Sequence, residues 1–290
     1  MRSPVRRRLG VSLAVPAGLV LVSGCTTDTV DQWSRFGLPD SATASAPHTE
    51  ALWVGAWIAA TIVGVLVWGL IIWAAVRYRR RRPDEVPTQV RYNLPIEVLY
   101  TVAPFVIIFV LFYHTVVTQN EVLSTQEKNA EEILVVAQQW SWTFNYLGED
   151  GRDPANAANG DDVFDVGTVA DFPTLVLPVN KPVKFMLRSQ DVVHSFWVPA
   201  FYFKMDIVPG RLNTWVTTPT KLGTYAGKCT EFCGLEHSRM LFNVKVVTQR
   251  EYQQHLQNLR ARGDTGVVLG STEPDRVAGL ETHSENGAGH

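Results

Sequence analysis

The run ALWVGAWIAATIVGVLVWGLIIWAAV, residues 51–76, decides the architecture, because it carries no charged side chain over a length that crosses a lipid bilayer. A hydrocarbon core about 30 Å thick needs roughly 20 apolar helical residues. A second run, PIEVLYTVAPFVIIFVLFYHTVV at residues 95–117, meets the same requirement with Glu97 near its start. Buried helices of soluble proteins can be all-apolar, but two in succession at this length predict a transmembrane hairpin over residues 51–117. Trp53 and Trp57 near one end of the first helix and Tyr78 at the other suit the aromatic belts of a bilayer. Pro95 suits a first turn, and Pro104 predicts a kink in the second helix.

Between the runs stand Arg77, Arg79, Arg80, Arg81, Arg82 and Arg91 against Asp84 and Glu85, so the connection is expected on the cytoplasmic side. Both chain ends then lie on the extracytoplasmic side of a plasma membrane. Residues 1–24 read as a signal peptide: Arg2, Arg6, Arg7 and Arg8 precede an apolar run too short to span. It ends in Leu21-Val-Ser-Gly-Cys25, which resembles a bacterial lipobox, so Cys25 is the expected lipidation site. The bland alternative is an ordinary signal peptide with an incidental cysteine. Residues 25–50 read as an exported linker.

Beyond residue 118 the hydrophobic period changes. In residues 138–146 Trp140, Trp142, Phe144 and Tyr146 alternate with Gln139, Ser141, Thr143 and Asn145, the pattern of a half-buried strand. Leu175/Leu177/Val179, Val183/Phe185/Leu187 and Phe242/Val244/Val246 repeat it, with Pro and Gly between the runs. Residues 118–262 therefore predict a β-sandwich or Greek-key barrel. An acidic stretch, 148–171, reads as a solvated connection, and the Gly/Ser/Glu-rich residues 263–290 read as disordered. From Thr118 onward 15 Lys plus Arg face 21 Asp plus Glu, a balance of −6 that would steer a basic partner and gives no sign of nucleic-acid binding. Walker, dinucleotide and nucleophile-elbow motifs are missing, as is Cys-x-x-Cys-His for covalent haem.

The chemistry concentrates in Cys229-Thr-Glu-Phe-Cys233-Gly-Leu-Glu-His237-Ser-Arg-Met240. Two thiolates, an imidazole and a thioether are soft donors that favour copper over magnesium or calcium. Two cysteines able to bridge suggest a pair of copper ions, and His194 is the best-placed second imidazole. A Cys229–Cys233 disulfide is the obvious alternative in an oxidising compartment, but it would close a short loop and leave His237 and Met240 without a part. A tetrahedral zinc site from two Cys and two His would leave Met240 unexplained.

These residues resemble subunit II of haem-copper oxidases of the cytochrome c oxidase type, in a bacterial form like those of actinobacteria or other Gram-positive bacteria. The resemblance rests on Asp191-Val-Val-His194-Ser, on Asp206-Ile-Val-Pro-Gly-Arg-Leu212 and on the 229–240 motif, and it extends from Ala51 to about Gln254. It implies a cupredoxin-like Greek-key sandwich behind a two-helix membrane hairpin. It implies a dinuclear CuA centre held by His194, Cys229, Cys233, His237, Met240 and the backbone carbonyl of Glu231. The Glu231 carboxylate would reach a magnesium ion at the boundary with subunit I. By the same resemblance Trp140 takes the electron from cytochrome c, although a Trp140/Trp142 stripe is more often core. Glu97 would stand at the mouth of a proton pathway, although a first-turn Glu is also simply favourable to the helix dipole.

The implied partners are oxidase subunits I and III and a cytochrome c, whether membrane-bound or within a cytochrome bc complex. The implied activity is electron delivery to subunit I, where oxygen is reduced and protons are pumped. Two departures stand out: Phe196 follows His194-Ser where Trp is common, with Trp197 displaced by one, and Lys228 precedes Cys229 where Gln is common. A cation beside the thiolates is expected to raise their reduction potential. A copper-free quinol-oxidase subunit would lack the ligands, and a tethered copper carrier would not need Glu97, Pro104 and an Arg-rich loop between two helices.

Overall fold

The computed structural model describes residues 27–84, 86, 89–124, 129–148, 162–271 and 277. Cys25 and the rest of the expected signal segment lie outside the described residues, as do 149–161 of the acidic stretch. Among the described residues, 27–40 form a unit of their own, in which helix α1 (Thr27–Ser34) is followed by a turn closed by an Arg35–Asp40 ion pair of 2.8 Å.

In the second unit the two apolar runs become α2 (Ala46–Arg77) and α3 (Leu94–Val122). At 32 residues α2 is about 48 Å long, so its ends stand beyond a hydrocarbon core of about 30 Å. Large apolar side chains are exposed along both helices, among them Ile62, Trp68, Phe109 and Phe112. So large an exposed apolar surface is rare on soluble proteins, and the length and apolarity of the two helices fit membrane anchoring. Asn93 caps α3 through its side chain, which accepts from Ile96 N, while Glu97 returns to accept from Asn93 N at 2.8 Å. The helix continues through Pro104.

The expected sandwich follows. One sheet has the order β3-β2-β1-β5-β8, from Val163–Val166, Ser141–Tyr146, Glu131–Gln138, Val183–Ser189 and Asn213–Thr217. The other runs β4-β10-β9-β6-β7, from Thr174–Pro178, Leu241–Val247, Gly223–Cys229, His194–Val198 and Phe203–Ile207. Both sheets are mixed, because β1 pairs β5 and β4 pairs β10 in parallel. Between the sheets Trp142, Phe144, Phe185, Phe196, Trp215 and Phe242 are essentially fully buried. Phe196 and Phe242 stack at 5.0 Å, and Phe185 and Trp215 at 5.2 Å, arrangements that add to simple area burial.

Four expectations need correction. The alternating stretch 138–146 is not one strand: β1 ends at Gln138 and β2 begins at Ser141, so Gln139 and Trp140 form the turn of a hairpin. Nor is β2 half-buried, since every residue in it is buried. The reason is the third correction. Residues 264–271, expected to be disordered, lie as a strap over the outer face of the sheet, where Val267 and Leu269 pack on Leu134, Val136 and Met186. Asn145 fixes the strap by donating to Val268 O at 3.0 Å and accepting from Val268 N at 2.7 Å. Lastly, the acidic stretch contains strand β3, paired with β2 and starting at a fully buried Val163.

Two further features escaped the pattern reading. Helix α4 (Gln249–Arg262) opens with a capping box between Thr248 and Glu251 and ends at Gly263 in the left-handed conformation, and it buries Tyr252, Leu256 and Leu259. The end of the linker is stitched to the sandwich, with Ala42 N donating to Ala200 O and Thr220 N to Ala42 O, each at 2.8 Å.

Candidate metal centre

The centre is assembled from two connections at one end of the sandwich. His194 opens β6 after the Ser189–Asp191 turn, and the loop between β9 and β10 carries Cys229 to Met240. Backbone bonds fix the loop at its base: Cys229 N donates to Met240 O at 3.1 Å and Thr230 N to Ser195 O at 3.2 Å. Trp142, buried beneath it, donates from Nε1 to Met240 O at 3.3 Å.

The sulfurs of Cys229 and Cys233 lie 3.8 Å apart, both buried and unbridged. Each has an imidazole beside it: His194 Nδ1 is 3.9 Å from Cys229 Sγ, and His237 Nδ1 is 3.5 Å from Cys233 Sγ. Each also has a third neighbour, the Glu231 carbonyl at 3.3 Å from Cys229 Sγ and Met240 Sδ at 3.7 Å from Cys233 Sγ. All six expected donors thus converge. With metal–sulfur bonds of about 2.3 Å, two sulfurs at this separation can both reach a common ion, and the donor set is larger than one tetrahedral ion uses. Soft sulfur with imidazole suits copper.

Asp191 was part of the quoted motif without a role, and the structure supplies one. Its Oδ1 meets His194 Nε2 at 2.9 Å, which leaves Nδ1 directed at the sulfurs, and it is itself held by Val192 N at 2.6 Å and Ser189 Oγ at 3.0 Å. This is the carboxylate–histidine arrangement that fixes tautomer and ring orientation at metal sites. Burial opposes the charge on both partners, but the hydrogen bonds outweigh it, holding Asp191 below the usual carboxylate range and raising His194. Between the thiols, the hydrogen bond from Cys233 lowers Cys229 against burial, while hydrogen bonding to Cys229 and burial push Cys233 up.

Trp140 sits in the hairpin turn, half-buried, and donates from Nε1 to Cys233 O at 3.2 Å. Of the two indoles it is the one with access to solvent. Glu97 is not brought to the centre: it lies in the first turn of α3, the end of the helix remote in sequence from the sandwich. The two sequence departures prove to be one contact. Trp197 and Lys228 face each other across β6 and β9, with the ammonium 4.8 Å from the indole centroid. Lys228 is exposed while Cys229, next along the strand, points inward, so the ammonium is directed away from the thiolates and onto the Trp197 ring. Phe232 and Leu235, on the loop, are 76% and 87% exposed, an apolar pair that the search for ligands passed over.

The description "Cytochrome C oxidase subunit II, periplasmic domain" matches residues 132–247, and "Cytochrome C oxidase subunit II, transmembrane domain" matches residues 31–115. A protein of Streptomyces avermitilis named as a probable cytochrome c oxidase subunit 2 is 45% identical, covering 92% of this chain and 91% of its own. A Mycobacterium bovis cytochrome c oxidase subunit 2 is 36% identical, covering 90% and 84%. Among solved structures, the periplasmic domain of subunit II of cytochrome oxidase from Bradyrhizobium japonicum is 26% identical with a TM-score of 0.39, covering 47% of this chain and 97% of that one.

Proposed function

Because this chain belongs to the cytochrome c oxidase subunit II family, we propose that it receives electrons from a cytochrome c and passes them to haem in subunit I of a proton-pumping oxidase. The observation that carries the reading is the pair of sulfurs 3.8 Å apart with an imidazole Nδ1 at each. His194, Cys229, Cys233, His237, Met240 and the Glu231 carbonyl would hold two copper ions. When bound, such a pair would supply one-electron uptake and release with little rearrangement. The chain's part is to keep that rearrangement small: Asp191 locks His194, and Trp142 and the β9–β10 ladder lock the backbone of the loop.

Trp140 is the proposed point of electron uptake, supported by its partial exposure and its bond to the Cys233 carbonyl. Phe232 and Leu235, exposed on the Cys229–Met240 loop, would give the donor an apolar surface. The Glu231 carboxylate is the proposed contact to magnesium at the boundary with subunit I, and Glu97 the carboxylate at the proton-pathway mouth, in a complex that includes subunit III. The arginines between α2 and α3 favour a cytoplasmic connection with the sandwich and both termini outside, and the lipobox-like Leu21-Val-Ser-Gly-Cys25 makes Cys25 the proposed lipid anchor.

The full chain, purified in detergent and loaded with copper, is to be mixed with reduced cytochrome c while reduction of the copper is followed. Trp140→Phe should slow the transfer and leave the copper spectrum unchanged. Equal rates in the two proteins would contradict uptake at Trp140, and no transfer from any cytochrome c would contradict the whole reading.

A further inference from the structure

His194 and the Cys229–Met240 loop reach the centre from different parts of the second sheet, and Gln139, in the hairpin turn of the first sheet, holds both. Its backbone N–H donates to Asp191 Oδ2 at 2.6 Å, and Asp191 in turn orients His194. Its side-chain Nε2 donates to the carbonyl of Cys233 at 2.6 Å, beside the longer bond from Trp140 to the same oxygen. Gly234 permits this approach: its φ is +122°, and a Cβ there would come within 2.9 Å of Gln139 Nε2 and 3.0 Å of Trp140 Cζ2.

We infer that Gln139 is a positioning residue that holds the Cys233 end of the centre in register with the His194 end, through the Cys233 carbonyl and Asp191. The two sulfurs belong to one loop, and the loop's second sulfur has only a short path to its neighbour. A donor fixed on the Cys233 carbonyl sets how far that sulfur can move. The uncharged amide does so without adding a charge beside two thiolates. The inference deepens the copper reading and rests on it for its metal-loaded form, but the metal-free thiols test it separately.

Three variants of the full chain in detergent decide the matter. Gln139→Met removes the amide and keeps the backbone N–H, while Gly234→Ala forces the loop away from an unaltered Gln139. Asn145→Leu cuts the strap's bonds toward the other end of β2 and controls for general loosening. In metal-free protein, closure of a Cys229–Cys233 disulfide is timed with oxidised dithiothreitol, which takes up the two electrons and two protons. Closure must bring the sulfurs from 3.8 Å to about 2.05 Å, so a freed loop closes faster.

Gln139→Met and Gly234→Ala should each accelerate closure roughly five- to tenfold, the scale set by one buried hydrogen bond. In copper-loaded protein they should accelerate release to a chelator by a similar factor and alter the copper hyperfine pattern, whereas Asn145→Leu should lower only the melting temperature. Unchanged closure in Gln139→Met, or equal acceleration in Asn145→Leu, would overturn the inference. If the unsubstituted chain bound no copper, the functional reading would fail, while the closure rates would still decide the role of Gln139.

Discussion

The hairpin and the sandwich answer to different solvents. In α2 and α3 the large apolar side chains face outward and few residues are buried, so almost any apolar side chain serves at a given place. In the sandwich the same residue types interlock, and the position of each ring helps set where the loop of Cys229 stands. Tolerance to substitution should therefore differ sharply between the two regions, although both are rich in Phe and Trp.

The largest expected effect is in the sandwich core. Phe185→Ala, which removes a fully buried ring stacked on Trp215, should cost about 3–5 kcal/mol of unfolding free energy by denaturant titration. Phe109→Ala, at a position 69% exposed in α3, should change it by no more than about 0.5 kcal/mol in the isolated chain. Similar losses at both positions would break the contrast. The sandwich also buries charge. Burial raises Asp165 to about 6 despite Arg262, whose Nη2 lies 3.7 Å from its Oδ1. Its folded value is above its unfolded one, so its neutral form is favoured: stability is fully present below about pH 4 and declines as pH rises toward 6. Asp165→Asn should flatten that decline and stabilise the protein above pH 6 by up to roughly 3 kcal/mol, read from melting curves across pH.

At the centre, Asp191→Asn should weaken copper retention against a chelator by roughly 10- to 100-fold while leaving the fold intact, because His194 loses its charged partner. Among the substitutions at packed positions of the sandwich, the smallest effect belongs to the strap. Asn145→Leu should cost about 1–2 kcal/mol and increase amide exchange at Val268, with the copper site unaffected.

The contrast also explains what could be read from the sequence. Composition alone located the hairpin, because lipid asks only for length and apolarity. The proposed ligands were legible as chemistry, since Cys229, Cys233, His237 and Met240 are rare types at short spacing and His194 follows a strand-like run. The support around them was not. Asp191 and Gln139 are ordinary polar residues whose roles arise from contacts across 52 and 94 positions of chain. The same holds for the strap: Val267 and Leu269 sit in a Gly- and Ser-rich tail, and only the outer face of β1 and β5 makes a partner for them. Alternation through residues 138–146 hid a tight turn, because Gln139 and Trp140 continue the polar–apolar rhythm of the strand after them.

The most direct test of the account is the copper content and electron paramagnetic resonance of the full chain beside Cys233→Ser. The account predicts two coppers per chain, with one unpaired electron shared equally between two nuclei and lost in the variant. One isolated copper indifferent to Cys233, or none, would contradict it.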